Sequence, residues 1–245
     1  MGEILKVSNL TKRFGDLVVL DNIDLSVNKG EVVVLVGPSG CGKSTFLRCL
    51  NGLEEIQDGT ISLDGEVINP IKKEKNSSRQ KIGMVFQSYE LFPHKTILQN
   101  VTLAPVKVQK RNMKEVEKEA LALLERVGLV SKKDSYPRML SGGQKQRVAI
   151  VRALIMPPEI LLLEEITAAL DPEMVREVLD VVLSLAKEGR TMVIVTHEME
   201  FARAVSDRII FLDGGKIVEE RRPEEFFLNP GTDRLKKFLQ TFTYK

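Results

Sequence analysis

Two separate segments of the chain carry residue types suited to binding phosphate. Gly37-Pro38-Ser39-Gly40-Cys41-Gly42-Lys43-Ser44 fits the pattern G-x-x-x-x-G-K-[ST] at every position. In that pattern, which continues here into Thr45, loop amides wrap a β-phosphate, the lysine neutralises phosphate oxygens and the serine binds Mg²⁺. The second segment, Ser141-Gly142-Gly143-Gln144, is typical of a helix start, where unpaired N–H groups attract an anion. Both segments therefore predict contact with a nucleotide phosphate chain.

The second segment lacks the adjacent lysine and serine with which the first segment ends, so it is not a complete site for a phosphate tail and its metal. The simplest arrangement that uses both segments is a head-to-tail pair of chains, each covering the nucleotide held by the other. The alternative for residues 37–44 is a chance glycine-rich turn. A predicted strand before the segment and a predicted helix after it disfavour that alternative.

Polar residues follow the ends of three further predicted strands. Glu164 and Glu165 follow one, Gln87 follows a second and His197 a third. Strand carboxyl ends line the ligand crevice of an open α/β sheet, so these side chains are candidates for holding Mg²⁺ and polarising a water molecule. Each has an ordinary alternative: a solvated acidic turn for the glutamates, a polar strand end for Gln87 and a structural role for His197.

Asp171 and Phe14 are candidates with equally good structural explanations. Asp171 precedes Pro172, which makes it a suitable N-cap residue with proline in the first helical position. Any contact of Asp171 with nucleotide is additional to that role. Phe14 is expected either to stack on adenine or to pack in the core.

The chain alternates strand and helix patterns, which predicts an α/β fold with a mostly parallel sheet and helices on its faces. The predicted strands cover residues 4–7, 18–20, 23–27, 31–36, 82–86, 160–163, 192–195, 209–212 and 216–219. The predicted helices cover 43–50, 114–127, 141–155, 173–187, 198–205 and the tail from 223. Residues 89–158 lack strand patterns and are interpreted as a helical subdomain inserted into a core of 1–88 and 159–245, within one domain spanning 1–245.

Composition narrows the function. A net charge of +2 with 29% charged residues does not suggest a nucleic-acid binder. The basic run of Lys72, Lys73, Lys75, Arg79 and Lys81 lacks interleaved aromatic residues and is interpreted as a solvated loop. No apolar stretch approaches the roughly 20 residues of a membrane span, and no signal peptide pattern opens the chain. We expect a cytosolic protein.

With these residues assembled, the chain resembles the ATP-binding subunit of an ATP-binding cassette (ABC) transporter over essentially its whole length. The resemblance rests on matches to the Walker A motif (37–44), the Q-loop (Gln87), the signature motif (140–144), Walker B (160–164), the catalytic glutamate (Glu165), the D-loop (169–171) and the switch histidine (His197). Phe14 stands where the family uses an adenine-stacking aromatic residue. The family's Walker B ends in aspartate, whereas this chain has Glu164, so nucleotide binding is a firmer expectation than fast turnover.

The resemblance implies a P-loop NTPase core with an N-terminal antiparallel β subdomain and an inserted helical subdomain. It implies ATP and Mg²⁺ as cofactors, with Ser44, Gln87 and Glu164 toward the metal, and Glu165, Gln87 and His197 in catalysis. Implied partners are a second copy of the chain, two membrane-spanning permease subunits and, indirectly, an extracytoplasmic solute-binding protein. The implied location is the cytoplasmic side of the membrane, as a peripheral subunit.

Two strings, at residues 102–105 and 196–202, are similar to subunits serving polar amino acid import. Competing functions are a cassette ATPase of nucleic-acid repair or translation, which a second cassette or coiled-coil insertion would mark, and a regulatory module with weakened hydrolysis. Residues 89–93 (Tyr-Glu-Leu-Phe-Pro) help to decide. They are expected to form either an exposed docking cleft for a partner helix or local core.

Overall fold

The computed structural model describes residues 2–68, 80–168 and 170–242. Its strands in the described residues are β1 (Glu3–Phe14), β2 (Leu17–Asn28), β3 (Val32–Val36), β4 (Asp58–Leu63), β5 (Glu66–Val67), β6 (Ile82–Val85), β7 (Ile160–Glu164), β8 (Met192–Val195), β9 (Arg208–Asp213) and β10 (Lys216–Arg221). The helices are α1 (Lys43–Leu50), α2 (Ile97–Lys107), α3 (Met113–Arg126), α4 (Gly142–Leu154), α5 (Pro172–Lys187), α6 (Met199–Val205), α7 (Pro223–Leu228) and α8 (Asp233–Gln240). Short 3₁₀ turns lie at Val130–Lys132 and Pro137–Met139.

A six-stranded sheet positions the candidate site. Its strand order is β10-β9-β3-β8-β7-β6, and every neighbouring pair is parallel except β9 with β10. The central strand β3 is buried on both faces, as its unbroken valine and leucine run predicts. Because β3, β6, β7 and β8 run in the same direction, the residues that follow them emerge at one edge of the sheet. The predicted α/β class is confirmed.

A second, antiparallel sheet of order β2-β1-β4-β5 packs beside the first. The sequence prediction of two short strands at 18–20 and 23–27 is wrong, since β2 runs through both. Asn22 adopts a left-handed φ of 55° and the β1–β2 register shifts there, so a bulge absorbs the polar Asp21-Asn22 pair without ending the strand. Strands β4 and β5 were not predicted.

The region 89–158 contains α2, α3, α4 and the two 3₁₀ turns joined by loops, and it contains no strand. Helix α3 begins after Asn112, whose side chain caps Lys114 N, and ends before Gly128, which has a φ of 70°. Helix α2 begins with a capping box between Thr96 and Gln99. These helices agree with the predicted inserted subdomain, whose boundaries stay a prediction.

Three hydrophobic clusters hold the elements together. One lies between the two sheets and includes α1, and a second fills the opposite face of the parallel sheet beneath α5 to α8. The third lies among α2, α3 and α4. Helix α4 contributes to both of the last two clusters, through Ala149 and Ile150 on one side and Val148 and Val151 on another. Helix α4 is therefore the packing link between the parallel sheet and the helical region.

The tail differs from the single amphipathic helix that its sequence predicts. It forms α7 and α8, separated at residues 229–232, with Phe226, Leu235 and Phe238 buried against the sheet. The Glu219 carboxylate accepts hydrogen bonds from the backbone of Gly231 and Thr232 and so fixes the break. Those donors, together with Arg221, lower the pKa of Glu219 against the opposing effect of its burial.

The predicted basic loop lies outside the described residues except for Lys81, which pairs with Glu159 at 3.3 Å. The hydrogen bond with Glu159 raises the pKa of Lys81. Within the described part of the chain, no helix has the length and apolar character needed to cross a bilayer.

Candidate functional site

The phosphate-binding pattern forms a loop between β3 and α1, in the strand–loop–helix order that the motif requires. Lys43 is buried, and its ammonium donates to the carbonyl oxygens of Gly37 and Pro38 at 2.9 and 3.0 Å. Helix α1 begins after Gly42 without a side-chain cap, so the amides of its first turn face the loop interior. The chance glycine-rich turn is excluded by this context.

Two glycines of the loop are required for close packing rather than for flexibility alone. A Cβ on Gly37 would lie 2.1 Å from the carbonyl oxygen of Leu212 at the end of β9. A Cβ on Gly42, whose φ is 105°, would lie 2.9 Å from the carbonyl oxygen of Val19 in β2. The loop is thus held against both sheets at its two ends.

Glu164 is the last residue of β7 and is 3% exposed, so the solvated acidic turn is wrong for this residue. Its Oε1 accepts from the Arg48 guanidinium of α1 at 3.3 Å. Its Oε2 is buried and has no hydrogen-bond partner among the described residues. Arg48 was missed by sequence reasoning, although it stands four residues after Ser44, on the same face of α1.

Glu165 and His197 lie together. Strands β7 and β8 are parallel neighbours, and their ends bring His197 Nε2 to 3.0 Å from Glu165 Oε1. The backbone of Glu165 has a φ of 43°, a left-handed conformation that is unfavourable for a residue with a side chain. The Glu165 amide donates to the Val195 carbonyl at 2.9 Å, which ties the strained turn to β8. A strained, hydrogen-bonded carboxylate at a sheet edge is typical of a catalytic position.

Gln87 follows β6 and is exposed at the rim of a cleft of about 930 Å³. The cleft, here called the Gln87 cleft, is lined by residues of α1, β6, β7, α4 and the segment 86–92, including Arg48, Glu90, Phe92, Arg152 and Glu164. Each of the two expectations for residues 89–93 holds for a different residue. Leu91 packs against the core, whereas Phe92 is 41% exposed in the cleft. Partial burial raises the pKa of Tyr89.

The segment Ser141-Gly142-Gly143-Gln144 starts helix α4, as predicted. The Ser141 hydroxyl accepts from Gln144 N, and the Gln144 side chain accepts from Ser141 N, which completes a capping box. The Ser141 hydroxyl proton is left to donate to a ligand. A Cβ on Gly143 would lie 2.9 Å from Cβ of Met174, so this glycine lets α4 approach α5.

The structure shows neither the capping hydrogen bond expected of Asp171 nor the core packing considered for Phe14. Asp171 precedes α5 and Pro172 takes the first helical position, but the Asp171 carboxylate makes no capping hydrogen bond and is exposed. Phe14 is 48% exposed at the tip of the β1–β2 hairpin, so core packing is wrong for it. The ammonium of Lys12 lies 4.2 Å from the Phe14 ring centroid and fixes the ring by a cation–π contact.

Comparison with known proteins decides the family. The family profile described as "ABC transporter" matches residues 20–168, more than half of the chain. The chain belongs to the ABC transporter family. The predicted ABC ATP-binding subunit is confirmed, and with it the ATPase class and the cofactors ATP and Mg²⁺.

Several curated relatives of this ABC subunit match it over nearly their whole length. The glutamine transport ATP-binding protein GlnQ of Bacillus subtilis is 55% identical over 96% of this chain and 98% of its own length. The glutamate transport ATP-binding protein GluA of Corynebacterium glutamicum is 56% identical over the same shares. The glutamate/aspartate import ATP-binding protein GltL of Escherichia coli K12 is 52% identical, also over 96% and 98%.

Solved structures of ABC cassettes share the fold. A dimeric bacterial ABC transporter cassette superposes with a TM-score of 0.81 at 36% identity, covering 90% of this chain and 99% of that cassette. A dimeric cassette in a post-hydrolysis state, bound to ADP and Pi, superposes with a TM-score of 0.78 at 34% identity and the same coverage. The predicted P-loop NTPase fold is confirmed.

The donors around α1 and β7 fit Mg²⁺. The Ser44 hydroxyl, the Gln87 amide oxygen and the Glu164 carboxylate are the hard oxygen ligands that Mg²⁺ prefers, and Glu164 Oε2 is buried without a partner among the described residues. When bound with ATP, Mg²⁺ neutralises charge on the phosphate oxygens.

Proposed function

We propose that this chain is the ATP-hydrolysing subunit that powers import of a polar amino acid through separate membrane subunits. The observation that carries the proposal is the group of relatives at 52–56% identity whose names specify glutamine, glutamate or glutamate/aspartate transport. These relatives match 96% of this chain and 98% of their own length, which supports the proposal. Nothing in these comparisons favours the regulatory alternative.

In the proposed mechanism two copies close head to tail around ATP. Ser141 donates its hydroxyl, and Gly142 and Gly143 their amides, to the terminal phosphate held by Lys43 and the loop 37–45 of the partner copy. The dimeric cassettes among the solved relatives support such a pairing. The Asp171 carboxylate is exposed and makes no capping hydrogen bond, so it is available to the partner copy as well.

The chemical step is assigned to residues at the strand ends. Glu165 accepts a proton from the attacking water, and His197, hydrogen-bonded to it, orients the carboxylate and contacts the γ-phosphate. Ser44, Gln87 and Glu164 would hold Mg²⁺ and help to orient the water. Phosphoryl transfer depends on such placement and electrostatics rather than on covalent help, which suits a site where the nucleophile is water. Phe14 stacks on adenine from the exposed hairpin tip.

Coupling to membrane subunits is assigned to the Gln87 cleft. It is wide, partly apolar through Phe92 and Met84, and opens directly beside Gln87, so a helix of a permease subunit bound there would touch the catalytic region. Two permease subunits, a peripheral position at the cytoplasmic face and, indirectly, a solute-binding protein complete the proposed importer.

Reconstitution tests the function. The subunit is combined in proteoliposomes with candidate permease subunits and a candidate solute-binding protein from its own organism. Uptake of labelled glutamine, glutamate and aspartate is measured with ATP on the subunit's side. Uptake of at least one of them should require ATP and should be lost with Glu165→Gln. ATP hydrolysis without uptake of any of these labelled amino acids would contradict the proposal.

A further inference from the structure

The backbone on both sides of Gln87 is held by two side chains of helix α4. Gln146 Nε2 donates to the Phe86 carbonyl at 3.3 Å, immediately before Gln87. The Arg152 guanidinium donates to the Tyr89 carbonyl at 3.1 Å and, through its other terminal nitrogen, to the Glu90 carbonyl. Three of the carbonyls around Gln87 therefore depend on α4.

The segment held by Arg152 is strained. Tyr89 and Glu90 have φ values of 62° and 50°, two consecutive left-handed residues that both carry side chains. Such residues persist only where surrounding contacts impose them. The planar fork of an arginine fits two adjacent acceptors, whereas a lysine ammonium is a single compact point of charge. The Arg152 fork is the contact that spans both strained residues.

The burial of Gln146 and Arg152 has a cost in folding free energy. Gln146 is fully buried, and its side-chain oxygen has no partner among the described residues. A buried amide with an unpaired oxygen reduces stability, so packing alone does not explain it. Desolvation lowers the pKa of Arg152, while neighbouring Glu90 acts in the opposite direction. Both residues are better explained by what they hold in place.

We propose that Gln146 and Arg152 are positioning residues that fix the Gln87 loop to helix α4. Because α4 begins at the Ser141-Gly142 tip, a movement of that tip relative to the sheet displaces Gln87 in the same chain. Gln87 then reaches its place in the site only when α4 is correctly docked. The consequence for turnover rests on the proposed ATPase mechanism, whereas the physical attachment does not.

Hydrogen exchange in the nucleotide-free protein tests the attachment. Arg152→Met keeps the length of the side chain and removes its donors, and Arg111→Met is the matched control. Arg111 also bonds a backbone carbonyl, that of Ile155, but at a distance in sequence from the Gln87 loop. In Arg152→Met the amides of residues 86–92 should exchange about tenfold faster, as expected for lost hydrogen bonds to a charged donor. Unchanged exchange there, or equal acceleration in the control, overturns the proposal.

Steady-state kinetics test the positioning of Gln87. In Arg152→Met, kcat should fall about tenfold while KM for ATP changes less than twofold, because the loop 37–45 is untouched. Arg152→Lys should restore part of kcat, and Arg111→Met should retain the wild-type value. If Arg152→Met does not fold, Gln146→Leu supplies the same two measurements. Equal loss of kcat in variant and control means a structural role. A wild-type protein without ATPase activity would refute the proposed function, and the exchange experiment would still decide the attachment.

Discussion

Glu164→Asp is expected to raise the turnover of this subunit at the expense of its stability. Glu164 stands where the family's Walker B motif has aspartate, and its carboxylate is divided between Arg48 at 3.3 Å and a buried oxygen without a partner among the described residues. Aspartate withdraws the carboxylate by one methylene, about 1.5 Å along a C–C bond. We expect the shorter side chain to lose the contact with Arg48. Its carboxylate should then lie at the position that the family's aspartate uses toward the metal.

The magnitude follows from two opposing effects. A misplacement near 1 Å in a catalytic group costs on the order of a hundredfold in rate, and relaxation of β7 recovers part of it. We therefore expect kcat to rise about tenfold, which corresponds to about 1.4 kcal/mol of barrier. The free energy of unfolding should fall by about 1–2 kcal/mol. One buried methylene contributes about 1 kcal/mol, and the pair with half-exposed Arg48 contributes at most about 1 kcal/mol.

The assay is steady-state ATP hydrolysis with the membrane partners present, combined with urea unfolding of the isolated subunit. Glu159→Asp is the control, since Glu159 lies just before the same strand and pairs with Lys81 away from the nucleotide loop. The Kd for nucleotide should change much less than kcat, because the substitution leaves Lys43 and the loop amides, which we propose hold the phosphates, untouched. Equal kcat for the wild-type protein and the Glu164→Asp variant would refute the reasoning and show that the strand already compensates for the longer side chain.

Four further predictions follow from the site and its packing. Glu165→Gln should accumulate a dimer in Mg-ATP by light scattering, and a protein that stays monomeric at saturating nucleotide would contradict the head-to-tail pair. Ser141→Phe should abolish turnover while calorimetry shows monomer ATP affinity within about twofold of wild type; a large loss of affinity would place Ser141 in its own chain's site. Glu165→Gly should be about 1 kcal/mol more stable than Glu165→Ala in urea, because only glycine adopts a φ of 43° without cost; equal stabilities would show that the turn relaxes. Burial raises the pKa of Cys49 from 9.0 to about 12, so the unfolded thiol ionises first and the free energy of unfolding should fall as pH rises from 9 toward 12. Cys49→Ala should remove up to about 1.4 kcal/mol per pH unit of that slope, and identical slopes would indicate that the thiol is not the titrating group.

The sequence predicted the parallel sheet and its polar edge because both depend on local signals. Unbroken apolar runs marked buried strands, and the residues after them had to emerge together once the strands were parallel. The pairing of Glu165 with His197 follows from the β7–β8 register, which no local pattern reveals. The exposure of Phe14 likewise depends on where its hairpin ends, rather than on its own neighbours in sequence.

Other features escaped prediction because they arise from contacts distant in sequence. Strand β2 continues through Asp21-Asn22 because β1 on one side accommodates a bulge, whereas the local polarity suggests a turn. The break in the tail depends on the buried Glu219 carboxylate, which binds the backbone of Gly231 and Thr232. The contacts of Arg48 and Arg152 could not be predicted from the sequence either. An arginine on a helix can reach many positions, and its partner is known only once the neighbouring strand ends are placed.

Because Gly37 is closely packed, substitutions within this one motif should impair the protein in two different ways. Some reduce the amount of folded protein, and others leave a folded protein that does not work. Any side chain at Gly37 collides with the Leu212 carbonyl before nucleotide is considered, so substitutions there reduce the amount of folded protein in a cell. Ser44, which is only half-buried at the start of α1, has no comparable constraint, and its variants should accumulate normally while failing to work. A mutational survey that scores transport alone would rank both positions as equally intolerant. Scoring abundance beside transport would divide the loop into residues that build it and residues that use it.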